Sequence, residues 1–428
     1  MPKKTNLSFF ISLSTFSIAL LPIVPNAINS ICLIAWAFLM LLNYFLRRKG
    51  SGFASPIITR PGNKPIFFLI GGNFILLALS LVYSIAPAKG VDFLVAELPM
   101  LLFPFCFFFT GPPFPDMKGL LTKVFTIFWA STCLMTIWIF YHYWQQNLFG
   151  EFGRASSFNT IFRQVAEQST DKHPDYISIY LVFSIYLAAD RLMTVRSLSS
   201  RLLYGVSIPV MIFLLALLAE RSPILALIVG TVVLCFLRIK KRTLRWTVML
   251  SLLAFFLLIV RYTPAIWSRI IETRDTPLET PVGVHHNSTN IRVGIYKCSW
   301  ELIRKNMFFG VGAGSDRPLL EACYTQFPTD AYRITYYNTH NQYINFWLLG
   351  GLFSGLLFLG SIGYALVLSL RRKDHTLLFF MILMSISFLS ENVLSRQAGV
   401  VFYYFFISLI IYCRLTDTGL KAIPGNKP

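Results

Sequence analysis

Long apolar runs, each ended by a short polar or charged stretch, make up most of the chain. They lie at about residues 7–24, 28–46, 65–86, 91–110, 120–145, 174–190, 202–219, 222–238, 246–262, 341–370, 376–393 and 398–413. A transmembrane helix needs about 20 apolar residues, and a chain in hydrocarbon must satisfy its own backbone hydrogen bonds, as a helix does. The pattern therefore predicts an all-α polytopic membrane protein with about twelve transmembrane helices.

Two polar stretches are too long to be simple turns, at about 146–173 and 263–340. Within the second, Asn290–Lys305 places apolar residues at helical spacing, with Ser288 or Thr289 as its N-cap, and the glycine-containing turn Phe308–Ser315 follows. We therefore divide the chain into transmembrane helices one to nine (1–262), a loop domain with short helices of its own (263–340), transmembrane helices ten to twelve (341–413) and a polar tail (414–428).

The composition agrees with a membrane protein, because only 13% of the 428 residues are charged, about half the share in soluble proteins. For a soluble chain, the net charge of +19 would suggest a nucleic-acid partner. In a topology of twelve helices, however, the basic clusters fall on one side together with both termini: Lys3–Lys4, Arg47–Lys49, Arg191–Arg201, Arg238–Arg245 and Arg371–Lys373. The positive-inside rule makes that side cytoplasmic, so the charge is an orientation signal and needs no nucleic acid.

The first apolar run resembles a signal peptide, because two lysines precede it. It is long, however, and no clear cleavage site between small residues ends it. We therefore expect this run to remain as the first transmembrane helix.

The cysteines and histidines give one candidate bond and no candidate metal site. Cys298 and Cys323 share the loop domain and form a disulfide if that domain faces an oxidising compartment; the spacing alone leaves the bonded and the free state open. The adjacent His285 and His286 have no cysteine or carboxylate near them at a familiar metal-ligand spacing. The sequence therefore predicts no metal.

Ionisable residues at the outer ends of the apolar runs are the candidates for chemistry. Glu220 and Arg221 occupy a tight turn with apolar sequence on both sides. Ionisable residues at or within the membrane surface are costly, so they are candidates for a function. The alternative is a snorkelling arginine that pairs with Glu220. Arg292 lies on the loop-domain helix with Tyr296 one turn later, where a solvated helix face is the alternative.

A histidine opens the tenth apolar run. Asn338 or Thr339 can cap this helix, which would place His340 and Asn341 in its first turn. Beneath them, three glycines allow close helix packing: Gly350, Gly351 and Gly355. A lone histidine at such a position is more often structural than catalytic.

Several further outer residues are weaker candidates. Five surround the entrance to the sixth run and are suited to contact a phosphate or a sugar: Arg154, Arg163, Lys172, His173 and Tyr176. For Glu97 in the fourth run we favour a structural ion pair over a role in positioning a substrate. Glu391 and Arg396 are expected to pair with each other or to line the rim of a cavity.

The order of these elements resembles one family. Arg221 before an apolar run, Arg292 before an aromatic helix and a GVGAGS turn, and His340–Asn341 before a glycine-rich run occur in this order, followed by ENVLSRQAGVVFYYFF at Glu391–Phe406. Together they are similar to the O-antigen ligase and O-antigen polymerase family of bacterial membrane glycosyltransferases. The similarity is clearest from about residue 205 to 400.

The resemblance implies a GT-C-like fold and a transfer reaction at the outer face of the bacterial inner membrane. The donor would be a glycan on undecaprenyl pyrophosphate and the acceptor a hydroxyl of lipid A–core, with inversion and without a metal or another cofactor. Fixed cations must meet the charge that develops on the leaving pyrophosphate, and Arg221 and Arg292 match the family's essential arginines. His340 matches its essential histidine, a residue type suited to proton transfer, while Tyr296 and Asn341 are candidate substrate contacts.

Three alternatives to the ligase remain open. A polymerase that joins lipid-linked repeat units would share these motifs, and related transferases, including those that glycosylate proteins, would share them as well. A secondary transporter with twelve helices commonly has two similar halves with polar breaks at mid-membrane. Here the halves are dissimilar and the polar groups gather at one face, so we favour the ligase.

Overall fold

The computed structural model describes residues 5–49, 64–112, 114, 116–148, 158–262, 271, 274, 276–284, 286–333 and 336–417. In these ranges the regular structure is helical, and the β-type pairing consists of one isolated bridge between Gly283 and Thr329. The helices are α1 (Thr5–Ala19), α2 (Asn26–Arg48), α3 (Lys64–Ser80), α4 (Pro87–Glu97), α5 (Pro99–Pro104), α6 (Met117–Gln145), α7 (Phe158–Thr170), α8 (Pro174–Leu192), α9 (Leu198–Leu218), α10 (Arg221–Arg238), α11 (Arg242–Tyr262), α12 (Ser288–Lys305), α13 (Asp316–Tyr324), α14 (Gln342–Arg372), α15 (His375–Ser390) and α16 (Gln397–Asp417).

Seven helical segments in the described ranges are long and apolar enough to cross a bilayer. They comprise α2, α3 with its extension to Tyr83, α6, α9, α10, α14 and α16. The pair α4 and α5, which continues to Thr110, is bent by 44° and would make an eighth span if it crosses as one. Pro99 starts the second arm of this pair, and proline cannot donate the backbone hydrogen bond that would continue a straight helix. The chain is therefore a multi-pass membrane protein, as predicted.

Helices α8 and α16 form the centre of the bundle. Every residue from Pro174 to Ala188 of α8 is buried, and 89% of the apolar window of α16 is buried, against 28% for α10. Aromatic rings fill the space between them, with Phe128, Phe183 and Phe402 in mutual contact. Because these two helices are held on all sides, the residues at their ends are placed by the packing of the whole bundle.

The loop domain forms a second apolar cluster beside the bundle. Its helix α12 spans the predicted segment and buries Ile291, Ile295 and Cys298 against α13 and the chain that follows it. Cys298 and Cys323 are joined as a disulfide, with their Cα atoms 5.8 Å apart. The N-cap of α12 is Asn287 rather than Ser288 or Thr289, because the Asn287 side chain accepts hydrogen bonds from two backbone N–H groups of the first turn.

The glycine-containing turn attaches the loop domain to the bundle. The N–H of Ala313 donates to Ser80 Oγ at 2.9 Å, and Ser84 Oγ donates to the carbonyl of Ala313 at 2.7 Å. Gly314 adopts a φ of +85°, and a Cβ at this position would lie 2.3 Å from the backbone nitrogen of Gly90. A side chain would therefore both strain the backbone and push the loop domain away from α4.

Candidate functional site

A cavity of about 640 Å³ lies between the loop domain and one end of the helix bundle. The starts of α8, α10 and α16 and the end of α15 contribute to it, together with α12. Six of the residues predicted from the sequence line this cavity: Arg163, His173, Tyr176, Arg221, Arg292 and His340. The fold therefore brings together residues that are up to 177 positions apart in the chain.

Glu391 connects two of these residues. Its Oε1 accepts a hydrogen bond from Arg292 Nη2 at 2.9 Å, and its Oε2 lies 3.0 Å from His340 Nδ1. All three side chains are between 22% and 31% exposed, so water weakens these contacts less than it would at an open surface. Glu391 was expected to pair with Arg396 or to line the rim. It lines the cavity, but its partners are Arg292 and His340, because α12 and the segment just before α14 bring these two residues to it.

The backbone around the histidine is shaped to present its ring. His340 adopts a φ of +44°, a conformation that non-glycine residues rarely take, and its N–H donates to Asn338 Oδ1 at 2.9 Å. Helix α14 begins only at Gln342, with Asn341 as its N-cap. The expectation that Asn338 or Thr339 caps this helix is therefore wrong, and His340 precedes the first turn rather than lying in it.

The cavity wall contains a second group of charged residues. Arg163 Nη2 lies 2.7 Å from Glu220 Oε1, and His173 Nδ1 lies 3.0 Å from Asp175 Oδ2. Burial raises the pKa of the Glu220 carboxyl well above its usual value; the charge of Asp175 adds to this shift and Arg163 opposes it. The four residues come from α7, the start of α8 and the turn between α9 and α10, so this wall depends on the contact of three helices.

Arg221 is the first residue of α10 and lines the cavity. It is exposed, and the side chain of its neighbour Glu220 makes no capping bond to the helix start. The sequence left open whether Glu220 holds Arg221 in an ion pair. In the structure the Glu220 carboxylate is paired with Arg163, and Arg221 contributes a cation to the cavity lining.

Three of the sequence candidates have positions other than the cavity wall, and a fourth is not described. Tyr296 lies behind His340 and donates from its hydroxyl to the His340 carbonyl at 3.4 Å. Asn341 caps α14, with its Oδ1 accepting two backbone hydrogen bonds. Lys172 is 2% exposed and its Nζ donates to the carbonyls of two neighbouring turns. Arg154 lies outside the described residues.

Glu97 differs from its expected structural role. The favoured interpretation was an ion pair, but Glu97 is fully buried in α4, and neither carboxylate oxygen has a hydrogen-bond partner among the described residues. It is in electrostatic range of Tyr176 and Tyr404. The structure offers no cation for it in the described ranges, since none is recorded within ion-pair distance there.

Sequence reasoning missed two carboxylates of the cavity, Asp175 and Asp316. Asp316 accepts a hydrogen bond from the Tyr336 hydroxyl at 3.3 Å; burial raises the pKa of its carboxyl, and backbone hydrogen bonds oppose the shift. Both residues lie in the first turn of a helix: Asp175 follows Pro174 at the start of α8, and Asp316 is the first residue of α13. Acidic residues are favoured there by the helix dipole, and their position beside the other outer candidates was the signal available.

The cavity combines fixed cations with a histidine held by a carboxylate. Such an arrangement can bind an anion and move a proton in the same enclosed space. In the described parts of the chain, no group of three or more histidine, cysteine or acidic side chains is arranged to hold a metal ion.

Comparison with known proteins gives one family. Residues 206–359 match the family model described as O-Antigen ligase, and no curated protein matches the chain. The matched segment contains Arg221, Arg292 and His340 and ends before Glu391. Members of this family are glycosyltransferase-like enzymes. Residues 206–359 are thus similar to the O-antigen ligase family, the family that the order of the chain's motifs predicted.

Proposed function

We propose that the protein is an O-antigen ligase of the bacterial inner membrane. It transfers a glycan from undecaprenyl pyrophosphate to a hydroxyl of lipid A–core at the periplasmic face. The anomeric carbon forms a bond to the acceptor oxygen, and its bond to the pyrophosphate oxygen breaks with inversion. The acceptor proton passes to a base of the protein, and the pyrophosphate leaves on its lipid carrier.

The observation that carries this proposal is the bridge from Arg292 through Glu391 to His340. Two of these residues, Arg292 and His340, lie in the segment that matches the family model. A carboxylate on Nδ1 fixes the tautomer in which Nδ1 carries the proton, and Nε2 is then the nitrogen that can accept one. His340 is therefore proposed as the base for the acceptor hydroxyl.

The arginines supply the charge that the leaving group needs. A guanidinium stays protonated and can bind two phosphate oxygens at once, so Arg221 and Arg292 are proposed to bind the pyrophosphate. Arg163, His173 and Tyr176 also line the cavity and are proposed to contact the glycan or the phosphates. Each contact is strengthened where water is excluded.

The proposed topology has about twelve spans, a GT-C-like arrangement and both termini in the cytoplasm. Each of the twelve apolar runs overlaps at least one helix, although α1 and α15 are shorter than a full span. The Cys298–Cys323 bond lies in the loop domain, and disulfides persist in oxidising compartments. This supports a periplasmic position for that domain and for the cavity beneath it.

The test compares surface and carrier-linked glycans in a strain with the gene deleted. Loss of a ligase removes all repeat glycan from the lipid core and leaves it on the carrier, whereas loss of a polymerase leaves a single repeat attached. Complementation with His340→Ala should fail while Arg304→Gln, an exposed change on α12 outside the cavity, should restore the glycan. An unchanged glycan profile in the deletion strain would contradict both enzyme functions.

A further inference from the structure

The turn between α15 and α16, Glu391–Arg396, is held in place from two sides. The Tyr176 hydroxyl of α8 donates to the carbonyl of Val393 at 3.2 Å, and the N–H of Leu394 donates to Gln342 Oε1 at 2.8 Å. Both contacts are buried. The side chains that this turn directs into the cavity therefore start from a fixed backbone.

Arg396 differs from Arg292 and Arg163, the two arginines of the cavity that pair with a carboxylate. Arg292 is bound to Glu391 and Arg163 to Glu220, so the charge of each is partly neutralised by a carboxylate. Arg396 also lines the cavity, is exposed, and forms no ion pair with any residue that the structure describes. Its charge acts on the nearby Tyr176 hydroxyl, and Tyr176 lines the same cavity.

An arginine without a carboxylate partner is a good site for an anionic ligand. A guanidinium that already binds a carboxylate must give up those hydrogen bonds to take a phosphate, whereas an unpaired one loses only water. Arg396 immediately precedes α16, and Arg221 opens α10, whose start carries no side-chain cap. The positive ends of two helix dipoles therefore add to the two cations at the same cavity.

We propose that Arg396 binds the diphosphate of the lipid-linked donor. This inference rests on the proposed function, because it names the residue that recognises the leaving group of that reaction. Arg396 lies outside the matched family segment 206–359, so its assignment comes from the geometry of the cavity. Arg292, beside its proposed contact with the pyrophosphate, also orients the carboxylate that holds His340, so part of its charge is shared with Glu391.

The test measures binding of two soluble probes to the full-length protein in lipid nanodiscs. Farnesyl diphosphate carries the diphosphate and a short prenyl chain, and farnesyl monophosphate lacks one phosphate. We expect the wild-type protein to prefer the diphosphate. Arg396→Gln should weaken diphosphate binding by about tenfold to a hundredfold, the loss expected for a hydrogen-bonded charge, while monophosphate binding changes by less than about threefold. Arg396→Lys should recover part of the loss, because the charge is kept and the bidentate geometry is not.

The matched control is Arg304→Gln, which removes an exposed arginine from the loop domain outside the cavity. It should bind both probes as the wild type does. If wild-type protein and Arg396→Gln bind the diphosphate with equal affinity, the inference is overturned and the proposed function is not affected. An equal loss of diphosphate affinity in the Arg304→Gln control would have the same meaning. A wild-type protein that binds neither probe would instead contradict the proposed function. Unchanged monophosphate binding by Arg396→Gln also shows that the variant is folded.

Discussion

Replacing Glu391 by glutamine tests the centre of the proposed mechanism. The carboxylate accepts one hydrogen bond from Arg292 at 2.9 Å and lies 3.0 Å from His340 Nδ1. Glutamine has nearly the same shape but only one oxygen. Whichever way its amide turns, the NH₂ group faces the donor of either Arg292 or His340. The variant therefore loses one contact outright and loses the charge that strengthens the other.

The two contacts set the size of the expected effect. A hydrogen bond to a charged group contributes about 1.5–3 kcal/mol. The loss of one such bond and the weakening of the other amount to about 3–4 kcal/mol, which is roughly a hundredfold to a thousandfold in rate. This is somewhat less than the roughly ten-thousandfold loss that the aspartate-to-asparagine change causes in a serine protease triad. The smaller figure is reasonable because all three side chains remain partly exposed.

The assay is the initial rate of glycan transfer by purified protein, with lipid-linked donor and lipid A–core acceptor. Glu391→Gln, His340→Ala and the double variant form a mutant cycle. If Glu391 acts through His340, the double variant should be hardly slower than His340→Ala alone. Glu321→Gln is the matched control, because Glu321 forms an exposed ion pair with Arg317 on α13 and is not among the residues that line the cavity.

Two results would refute this reasoning. A rate for Glu391→Gln within about threefold of the wild type would show that the carboxylate charge is not needed. Fully additive losses in the double variant would show that Glu391 and His340 act independently. Each purified variant should elute as a single species, as the wild-type protein does, which checks that it is folded and not aggregated.

Two further predictions concern single positions. Burial lowers the pKa of Lys172 to about 8, so the folded protein releases this proton at a lower pH than the unfolded chain; stability should therefore rise between about pH 8 and pH 10. Differential scanning fluorimetry should show this rise in the wild type and a smaller one in Lys172→Met, and equal slopes would contradict it. A Cβ at Gly399 would lie 1.9 Å from the Val393 carbonyl oxygen, so Gly399→Ala should displace the turn that carries Glu391 and reduce transfer at least about tenfold. Gly363→Ala, where nothing lies within 4 Å, should leave transfer unchanged, and equal rates for the two variants would count against this role of the turn.

The sequence predicts most of the helices, because helix formation here depends on the local pattern of apolar residues. Apolar runs must form helices in a bilayer, and α12 follows the spacing of Ile291, Ile295 and their neighbours. Helix ends were less certain. The caps were expected one to three residues too early or too late, because asparagine, serine and threonine compete for the same bond. In the structure, Asn287 and Asn341 take it.

The sequence predicts the candidate site only in part, and it does not predict which side chains pair with each other. Arg221, Arg292 and His340 lie in the matched segment 206–359 and line one cavity. Lys172 was expected beside them, yet its position in the chain does not indicate that its amino group turns inward to the carbonyl of Val24.

The sequence by itself determined that the chain is a helical membrane protein with a segment similar to the O-antigen ligase family, since length, hydrophobicity and motif order need no tertiary contact. Only the tertiary structure decided which charges meet. Glu391 is 99 residues from Arg292 and 51 from His340, while Arg396 is five positions away in the chain and pairs with neither carboxylate of the two arginine pairs. Ion pairs depend on distances of a few ångströms, and such distances are set by how helices pack rather than by where residues stand in the chain.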